Sequence, residues 1–266
     1  MSCLFCQSDG PFTIEHIIPE SLGNDDLMLL DQVCGSCNNH FSRLEEFVLQ
    51  KTPLAFWRTI LGIKTKRGRL PSVDLSSPKH EKGVLPSTHP SHDEEIGFKA
   101  HSDGSTSIEV DNPRVIYEIQ SGEKNQFQFV MTPKLLFIFG RFLCKIGVEL
   151  LCADDPLAAR SSKYGRARRF ARYGELNSLW PIFHFTEDRL SDLRRLRIDS
   201  EGLMEDVDCY TYSLFEFNNQ FVLFRLGVGT DNWIVCLNDP FPTPEIRRAF
   251  SDRKLQCIWY SPEEVG

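Results

Sequence analysis

The first fifty residues alternate between short apolar runs and polar turns in an order that predicts two strands and a helix. An apolar, β-branched run over 12–18 predicts a strand that ends at Pro19. A second apolar run over 27–33 predicts another strand, and the Gly-Asn-Asp-Asp sequence at 23–26 predicts the turn before it. After Cys37, apolar residues recur every three or four positions, which predicts a helix.

The middle of the chain has a different composition. A short helical pattern continues to about residue 61, after which Pro, Ser, His and Gly are frequent as far as 104. Such a composition is typical of a linker or an exposed insertion. The sequence therefore predicts a unit over 1–60, a linker or insertion over 61–104, and a further region over 105–266.

The region 105–266 mixes strand and helix patterns. Runs that alternate or cluster like strands occur at 105–110, 114–120, 126–131, 208–217, 220–226, 232–237 and 255–260. Asn218-Asn219 separates two of these runs and predicts a tight hairpin turn. A helix is predicted from Thr186 to about 197. The region is expected to have the α+β fold class.

A long apolar helix is predicted in this region. Thr132-Pro133 is typical of a helix start, with Thr as the cap and Pro in the first position, and the apolar pattern runs to about 151. Arg141, Lys145 and Glu149 are spaced four apart, which places them on one face. We expect this face to be a solvated stripe on an otherwise buried helix.

The charge of the whole chain differs from that of two of its segments. The net charge of −7 argues mildly against nucleic-acid binding, but nucleic acid responds to a local patch. The segments 51–69 and 160–172 each hold six basic residues and no acid. Tyr164, Phe170 and Tyr173 interleave the arginines of the second segment, which suits phosphate contact with base stacking. The alternative is a solvated basic helix whose aromatic residues lie in the core.

The sequence shows no targeting or membrane segment. The N-terminus becomes polar at once, without the basic and apolar regions of a secretory signal. The longest apolar run, 135–151, is interrupted by three charged residues, which a bilayer span would not place along its middle. We expect a cytoplasmic protein that is not bound to membranes.

Four of the nine cysteines form two Cys-x-x-Cys pairs, Cys3 with Cys6 and Cys34 with Cys37. In a cytoplasmic chain such pairs bind metal more often than they form disulfides. The predicted strands between the pairs would bring them together as a tetrahedral Zn²⁺ site. A site closed by four thiolates is structural, and it would stabilise a unit whose own core is small. The other five cysteines are expected to be buried thiols without a function.

An acid–histidine step lies between the two cysteine pairs, and an asparagine follows the last cysteine. The full pattern is Cys3-x-x-Cys6, Glu15-His16-Ile17-Ile18-Pro19 and Cys34-x-x-Cys37-Asn38. This pattern resembles the zinc-containing branch of the HNH endonucleases, the ββα-metal nucleases, over about residues 3–46. The resemblance implies a ββα-metal unit with a four-cysteine zinc site, followed here by a larger mixed α+β domain.

The resemblance implies a role for each matching residue. His16 would be the general base that activates water for attack on a phosphodiester. Glu15 and Asn38 would hold a catalytic divalent cation, Mg²⁺ or Mn²⁺. The family often has Asp in place of Glu15 and His in place of Asn38, and both differences retain a ligand atom. The middle Asn of the family motif, which braces the loop, corresponds to either Asn24 or Asp31.

The predicted function is metal-dependent hydrolysis of DNA by an endonuclease, with genome defence or a mobile element as its setting. DNA contacts are expected from His40, Arg43, Arg166, Arg168, Arg169 and Arg172. Cutting both strands would favour a homodimer, because each site has one base and one cation. The region 105–266 would respond to a regulatory ligand or protein partner, or read DNA.

The alternative function is a zinc module that binds nucleic acid or protein without cutting. Such a module would explain the cysteines, but it would not need Glu15, His16 and Asn38 together.

Overall fold

The computed structural model describes residues 2–64, 68–74, 96–102, 106–110, 117, 120–121, 131–175, 180–187, 210–240, 244–251 and 256–258. The strands predicted at 114–120 and 126–131 and the helix predicted after Thr186 lie largely outside the described residues.

The N-terminal unit is an antiparallel strand pair followed by a helix. Strand β1 (Phe12–His16) pairs with β2 (Met28–Cys34), and α1 (Gly35–Lys51) follows β2 directly. The pairing is irregular between Thr13 and Glu15, where β2 carries extra residues and bulges. The predicted order of strand, loop, strand and helix is confirmed, because the apolar periodicities match the faces that the unit buries.

Helix α2 (Pro53–Ile60) connects this unit to the C-terminal half of the chain. Thr52 caps it by accepting a hydrogen bond from the amide of Leu54 at 3.3 Å. On the other side, the indole Nε1 of Trp57 donates to Asp231 Oδ2 at 2.6 Å. A direct polar contact therefore joins α2 to the C-terminal half of the chain.

A three-stranded antiparallel sheet follows, formed by β3 (Ser72–Asp74), β4 (Ile96–Ala100) and β5 (Thr106–Val110). Strand β5 was predicted from the sequence. Strands β3 and β4 lie within the segment 61–104, which was expected to be a linker or an exposed insertion. Both strands are short and stand in a Pro- and Ser-rich context, so their pattern was masked by the composition around them.

Three helices come next in the described chain, α3 (Pro133–Asp154), α4 (Pro156–Arg160) and α5 (Gly165–Tyr173). The predicted start of α3 is confirmed, since Thr132 Oγ1 accepts a hydrogen bond from the amide of Leu135 at 3.3 Å. Helix α3 is the central element, with α1 and β2 on one side and the C-terminal sheet on the other. Within the described residues, no helix combines the length and apolarity needed to cross a bilayer.

The C-terminal sheet consists of β6 (Ile182–Thr186), β7 (Tyr210–Phe217), β8 (Phe221–Val228), β9 (Asp231–Cys236) and β10 (Gln256–Ile258), and α6 (Pro244–Ser251) precedes β10. The five strands are antiparallel and lie in the order β10-β6-β9-β8-β7. Asn218 and Asn219 have φ of 52° and 54°, as a type I′ hairpin turn requires. The predicted hairpin is confirmed.

One apolar core runs through both halves of the chain. It includes Ile17 and Phe41 from the N-terminal unit, Leu143 from α3 and Phe224 from β8. A smaller cluster on the other face of the sheet packs around Ile246 of α6. Among the described residues, the core is therefore continuous between the N-terminal unit and the region after residue 105. The division into domains over 1–60 and 105–266 stays a prediction.

The charged stripe of α3 is buried, and the prediction that it is solvated was wrong. Lys145 and Glu149 have no exposed surface, and Arg141 is half-buried. The spacing places the three residues on one face as expected, but this face packs against the N-terminal unit. Sequence periodicity shows that charges share a face, but it does not show whether that face meets water or opposite charges.

Close contact between α3 and the sheet depends on Gly147. A Cβ atom at this position would lie 2.7 Å from Leu237 Cδ2 and 2.8 Å from Phe224 Cβ. We expect Gly147→Ala to lower the free energy of unfolding by about 1–3 kcal/mol, as overpacking does. Gly140→Ala on the same helix is the matched control, since its nearest contact would be an ordinary 3.4 Å. Urea denaturation of both variants checks this, and a Gly147→Ala protein as stable as the control would contradict it.

Candidate active site

The two Cys-x-x-Cys pairs meet at one point. The Sγ atoms of Cys3, Cys6, Cys34 and Cys37 lie within 4.8 Å of one another. Four thiolates around Zn²⁺ at about 2.3 Å would be separated by roughly 3.8 Å. The 3.5 Å between Cys6 Sγ and Cys34 Sγ is close to this value. The pairing of β1 with β2 brings the pairs together, and the arrangement fits a four-thiolate zinc site.

The ionisation of the thiols also fits a cation. The hydrogen bond from Cys37, helped by backbone amides and opposed by burial, lowers the pKa of Cys3 to about 4. The same hydrogen bond, together with burial and the charge of Cys3, raises the pKa of Cys37. Cys3 and Cys37 therefore do not ionise together unless a positive charge compensates them, which a divalent cation would do.

Arg172 of α5 supplies a further positive charge to this cluster. Its Nε donates to Cys37 Sγ at 3.2 Å. Four thiolates leave a net negative charge on Zn²⁺, and a guanidinium in contact with one sulfur offsets part of it. Arg172 had been predicted to bind DNA, and its contact with the cysteines was missed because the two lie 135 positions apart.

His16 ends β1 on its outer face. Alternation along the strand places Ile14 and His16 on one side and Thr13 and Glu15 on the other. His16 is half-buried, and Ile14 is 59% exposed. The imidazole is therefore near the surface, where a substrate has access to it.

Asn38 lies in the first turns of α1, beside the inner face of β1. Its Nδ2 donates to Thr13 Oγ1 at 3.0 Å and to Ile14 O at 2.9 Å. These two bonds fix the orientation of the amide, so that Oδ1 points away from the strand. The described contact of Oδ1 is a long one, 3.5 Å from Ser42 Oγ. Since Nδ2 makes the bonds to β1, Oδ1 keeps lone pairs with which it could bind a cation.

The loop between β1 and β2 is braced by Asn24, which is fully buried. Its Nδ2 donates to Ile18 O at 2.6 Å and to Leu27 O at 3.1 Å, while Leu27 N donates to Asn24 Oδ1 at 2.9 Å. Asp31 is exposed and lies within the irregular part of β2 with φ of 55°. Of the two residues considered for the brace, Asn24 makes the bonds that close the loop.

Glu15 is 4% exposed and points into the core, on the face of β1 whose Thr13 contacts Asn38. There it meets a lysine from α3, with Lys145 Nζ 2.8 Å from Glu15 Oε1. The same ammonium lies 2.8 Å from Glu45 Oε1 and 2.9 Å from Glu149 Oε2. These four residues, Lys145, Glu15, Glu45 and Glu149, form what we term the Lys145 cluster.

Lys145 also contacts the main chain at the end of β1. Its Nζ donates to the carbonyl of His16 at 2.9 Å and to that of Ile17 at 3.2 Å. Burial alone would lower the pKa of Lys145, but the surrounding carboxylates raise it above its ordinary value, so the amine stays protonated. Lys145 had been predicted to lie on a solvated stripe, so its contacts with β1 were missed, although a Lys-x-x-x-Glu step inside an apolar helix was a usable signal.

Glu149 is the least satisfied member of the Lys145 cluster. Burial, with the charges of Glu15 and Glu45, raises its pKa well above the usual range despite the nearby Lys145. Among the described residues, neither of its oxygens has a well-directed hydrogen bond. Three carboxyl groups thus surround one ammonium, and Glu149 is the most deeply buried of the three.

His40 and Arg43, predicted DNA contacts on α1, differ in exposure. Arg43 is exposed, whereas His40 is half-buried, and Arg141 Nη2 lies 2.8 Å from its Nε2. Burial and the charges of Arg172, Arg141 and Arg43 lower the pKa of His40 to about 4. The imidazole is therefore neutral near pH 7, and its Nε2 accepts the hydrogen bond from Arg141.

The arginines of α5 also differ from one another. Arg166 and Arg169 are exposed. Arg168 is buried, and its guanidinium donates to the carbonyls of Ala159, Arg160 and Ser161, where α4 ends. Arg168 therefore has a structural role and is not accessible to a nucleic acid. The prediction that it contacts DNA was wrong.

The aromatic residues between these arginines lie mostly in the core. Tyr164 and Phe170 are buried, and Phe170 stacks on Trp180 with ring centroids 5.1 Å apart. Tyr173 is 49% exposed, and Arg172 lies over its ring. Of the three residues considered for base stacking, only Tyr173 is accessible in the described structure.

The comparison with protein families identifies the N-terminal unit. Residues 3–51 match the family described as HNH endonuclease, which confirms the resemblance seen in the sequence. Comparisons with curated proteins and with solved structures gave no match. The unit is an HNH endonuclease domain, a class that indicates nuclease activity and the use of a divalent metal. It is followed by a further α+β region that the family match does not cover.

The zinc site makes a direct prediction. The purified chain should contain about one zinc per molecule, because one four-thiolate site is formed. Cys37→Ala should lose this zinc and unfold at lower temperature, since three thiolates hold the ion poorly. Cys236→Ala removes a buried thiol outside the cluster and serves as the matched control. Elemental analysis with thermal unfolding checks both, and equal zinc content in the two variants would rule out this assignment.

Proposed function

We propose that the chain is a metal-dependent endonuclease that hydrolyses phosphodiester bonds of DNA, with His16 as its general base. The observation that carries the proposal is the accessible His16 at the end of β1, in a segment that matches the HNH endonuclease family. The imidazole at this position would take a proton from the attacking water. The hydrogen bonds of Asn24 support its role as the middle residue of the motif, which holds the loop after His16.

Glu15 and Asn38 would hold the catalytic cation, Mg²⁺ or Mn²⁺. When bound, this ion would stabilise the negative charge that develops on the phosphate and the leaving oxygen. Asn38 fits the role because its Nδ2 donates hydrogen bonds to β1, which orients Oδ1 away from the strand as a possible ligand. Glu15 also fits, since a carboxylate accepts several partners at two oxygens, and pairing with Lys145 does not exclude a cation.

The four thiolates would hold Zn²⁺ in a structural role. A closed tetrahedral set has no open position for water or substrate, so it stabilises the unit and takes no part in the chemistry. Its position explains the local order of the site, because Cys37 directly precedes Asn38 on α1. Loss of zinc would therefore disturb a proposed ligand of the catalytic cation.

A basic surface on α1 and α5 is the proposed contact for DNA. It consists of the exposed Arg43, Arg166 and Arg169, next to Arg172 and the half-buried His40. Phosphate contacts of this kind give affinity without sequence preference. Cleavage of both strands would favour a homodimer.

Control of the activity is part of the proposal. A nuclease of broad specificity harms its own cell, which points to genome defence or a mobile element as the setting. The region 105–266 would then provide regulation by a ligand or a partner protein. A zinc module that only binds its partner is the alternative function.

Replacement of the general base tests the function. His16→Ala should reduce plasmid cleavage by about 10²–10⁴-fold, because water attack loses its proton acceptor. Cleavage should need Mg²⁺ or Mn²⁺ and stop in EDTA. His184→Ala is the matched control, since His184 is a partly buried histidine of β6 paired with Asp231. Equal cutting by wild type and His16→Ala would remove His16 from the mechanism, and binding without any cutting would favour the zinc-module alternative.

The DNA surface is tested by salt dependence. In the His16→Ala background, Arg43→Gln should weaken DNA binding and reduce the slope of log affinity against log salt by about 0.9, the effect of one phosphate contact. Arg248→Gln makes the same change of charge on α6, away from this surface, and is the control. Fluorescence anisotropy across a salt series measures both slopes. If Arg248→Gln changed the slope as much as Arg43→Gln, overall charge rather than this surface would explain binding.

A further inference from the structure

We propose that Lys145 is a positioning residue of the nuclease site, which fixes the carboxylate of Glu15 and the main chain at His16. The inference rests on the proposed nuclease function and extends it to α3, outside the residues 3–51 that match the family. The site carried by the N-terminal unit would then be complete only when α3 is docked against it.

The contacts of Lys145 converge on the residues that carry the chemistry. Its Nζ lies 2.8 Å from Glu15 Oε1 and donates to the carbonyls of His16 and Ile17 at 2.9 Å and 3.2 Å. Both carbonyls lie where the ladder between β1 and β2 ends. One ammonium therefore holds the proposed cation ligand and the backbone of the proposed base at the same time.

Burial makes these contacts rigid. The side chain of Lys145 has no exposed surface, and that of Glu15 has 5%. Water does not compete for the hydrogen bonds there, and the low local dielectric strengthens the attraction between the charges. A small error in the position of a catalytic group costs much of its rate, so a rigid contact at this point matters for activity.

Stability alone does not explain the Lys145 cluster. Burying an ammonium among carboxylates costs desolvation, and apolar residues of similar volume often give equal or greater stability. The cluster also holds Glu149, whose oxygens lack well-directed hydrogen bonds within the described structure. A charged group retained in the core at such a cost, and aimed at the catalytic strand, fits a role in positioning.

Helix α3 is a firm support for this lysine. Gly147, two positions along, lets the helix approach Phe224 and Leu237 of the C-terminal half closely. The opposite side of the helix carries Lys145 to β1. The central helix α3 therefore contacts both β1 and the C-terminal sheet, so packing against the sheet fixes where Lys145 meets β1.

Glu149 allows charge and position to be separated by experiment. It pairs with Lys145 at 2.9 Å, four residues along the same helix. Lys145→Met alone would leave three buried carboxylates facing one another, which would by itself destabilise the fold. The double variant Lys145→Met/Glu149→Met removes one ammonium and one carboxylate, while Glu149→Met keeps every bond between Lys145 and β1 and serves as the matched control.

Electron paramagnetic resonance measures the affinity of the full zinc-loaded chain for Mn²⁺. Cleavage of plasmid DNA by the same protein gives kcat and KM. In the double variant we expect Mn²⁺ binding and kcat to fall by about 10–100-fold, the usual effect of losing a group that orients a metal ligand. The KM for DNA should not change, because Lys145 is buried. Glu149→Met should bind Mn²⁺ and cut like wild type.

Two results would overturn the proposal. Removing a positive charge next to Glu15 would by itself strengthen cation binding, so Mn²⁺ affinity equal to or above wild type in the double variant would show that Lys145 does not position the ligand. Equal losses in Glu149→Met would show that the bonds to β1 are not the cause. A wild-type protein that binds Mn²⁺ without cutting DNA would instead refute the nuclease function, and the Mn²⁺ affinities would still decide the role of Lys145.

Discussion

A buried ammonium links the end of β1 to the central helix α3. Lys145 of α3 bonds to two backbone carbonyls at the end of β1 and pairs with carboxylates from β1, α1 and α3 itself. A charge in this position needs partners, because an unpaired ammonium in the core is very costly. The docking of α3, the inward turn of Glu15 and the continuous core are therefore one connected arrangement.

The four-cysteine cluster depends on the C-terminal half in the same way. The four cysteines all belong to the unit of residues 3–51, but the guanidinium that contacts Cys37 comes from α5. Arg141 of α3 adds a bond to His40, on the same helix as Cys37. The segment that matches the family thus supplies the four cysteines and the proposed base, while α3 and α5 supply the positive charges around them.

Sequence alone predicted the parts of the site that are local in the chain. The cysteine spacing, the Glu15-His16 step and Asn38 could be read directly, because each lies within a short motif. The partners of Lys145 on β1 and α1 lie 100 or more positions away in the sequence, and no periodicity reports contacts over such separations. Arg168 was misassigned for a related reason, since an arginine that closes a helix end has the same sequence signature as one that faces solvent.

In the proposed site, one divalent cation binds between Glu15 and Asn38 while Lys145 keeps its contact with Glu15. Crystals of the His16→Ala protein soaked in Mn²⁺ would show the cation by anomalous diffraction. We expect a manganese peak within bonding distance of the Glu15 carboxylate and Asn38 Oδ1, with Lys145 still paired to Glu15 and a separate zinc peak among the cysteines. A manganese peak away from both residues, or one bound only after Lys145 has left Glu15, would contradict it.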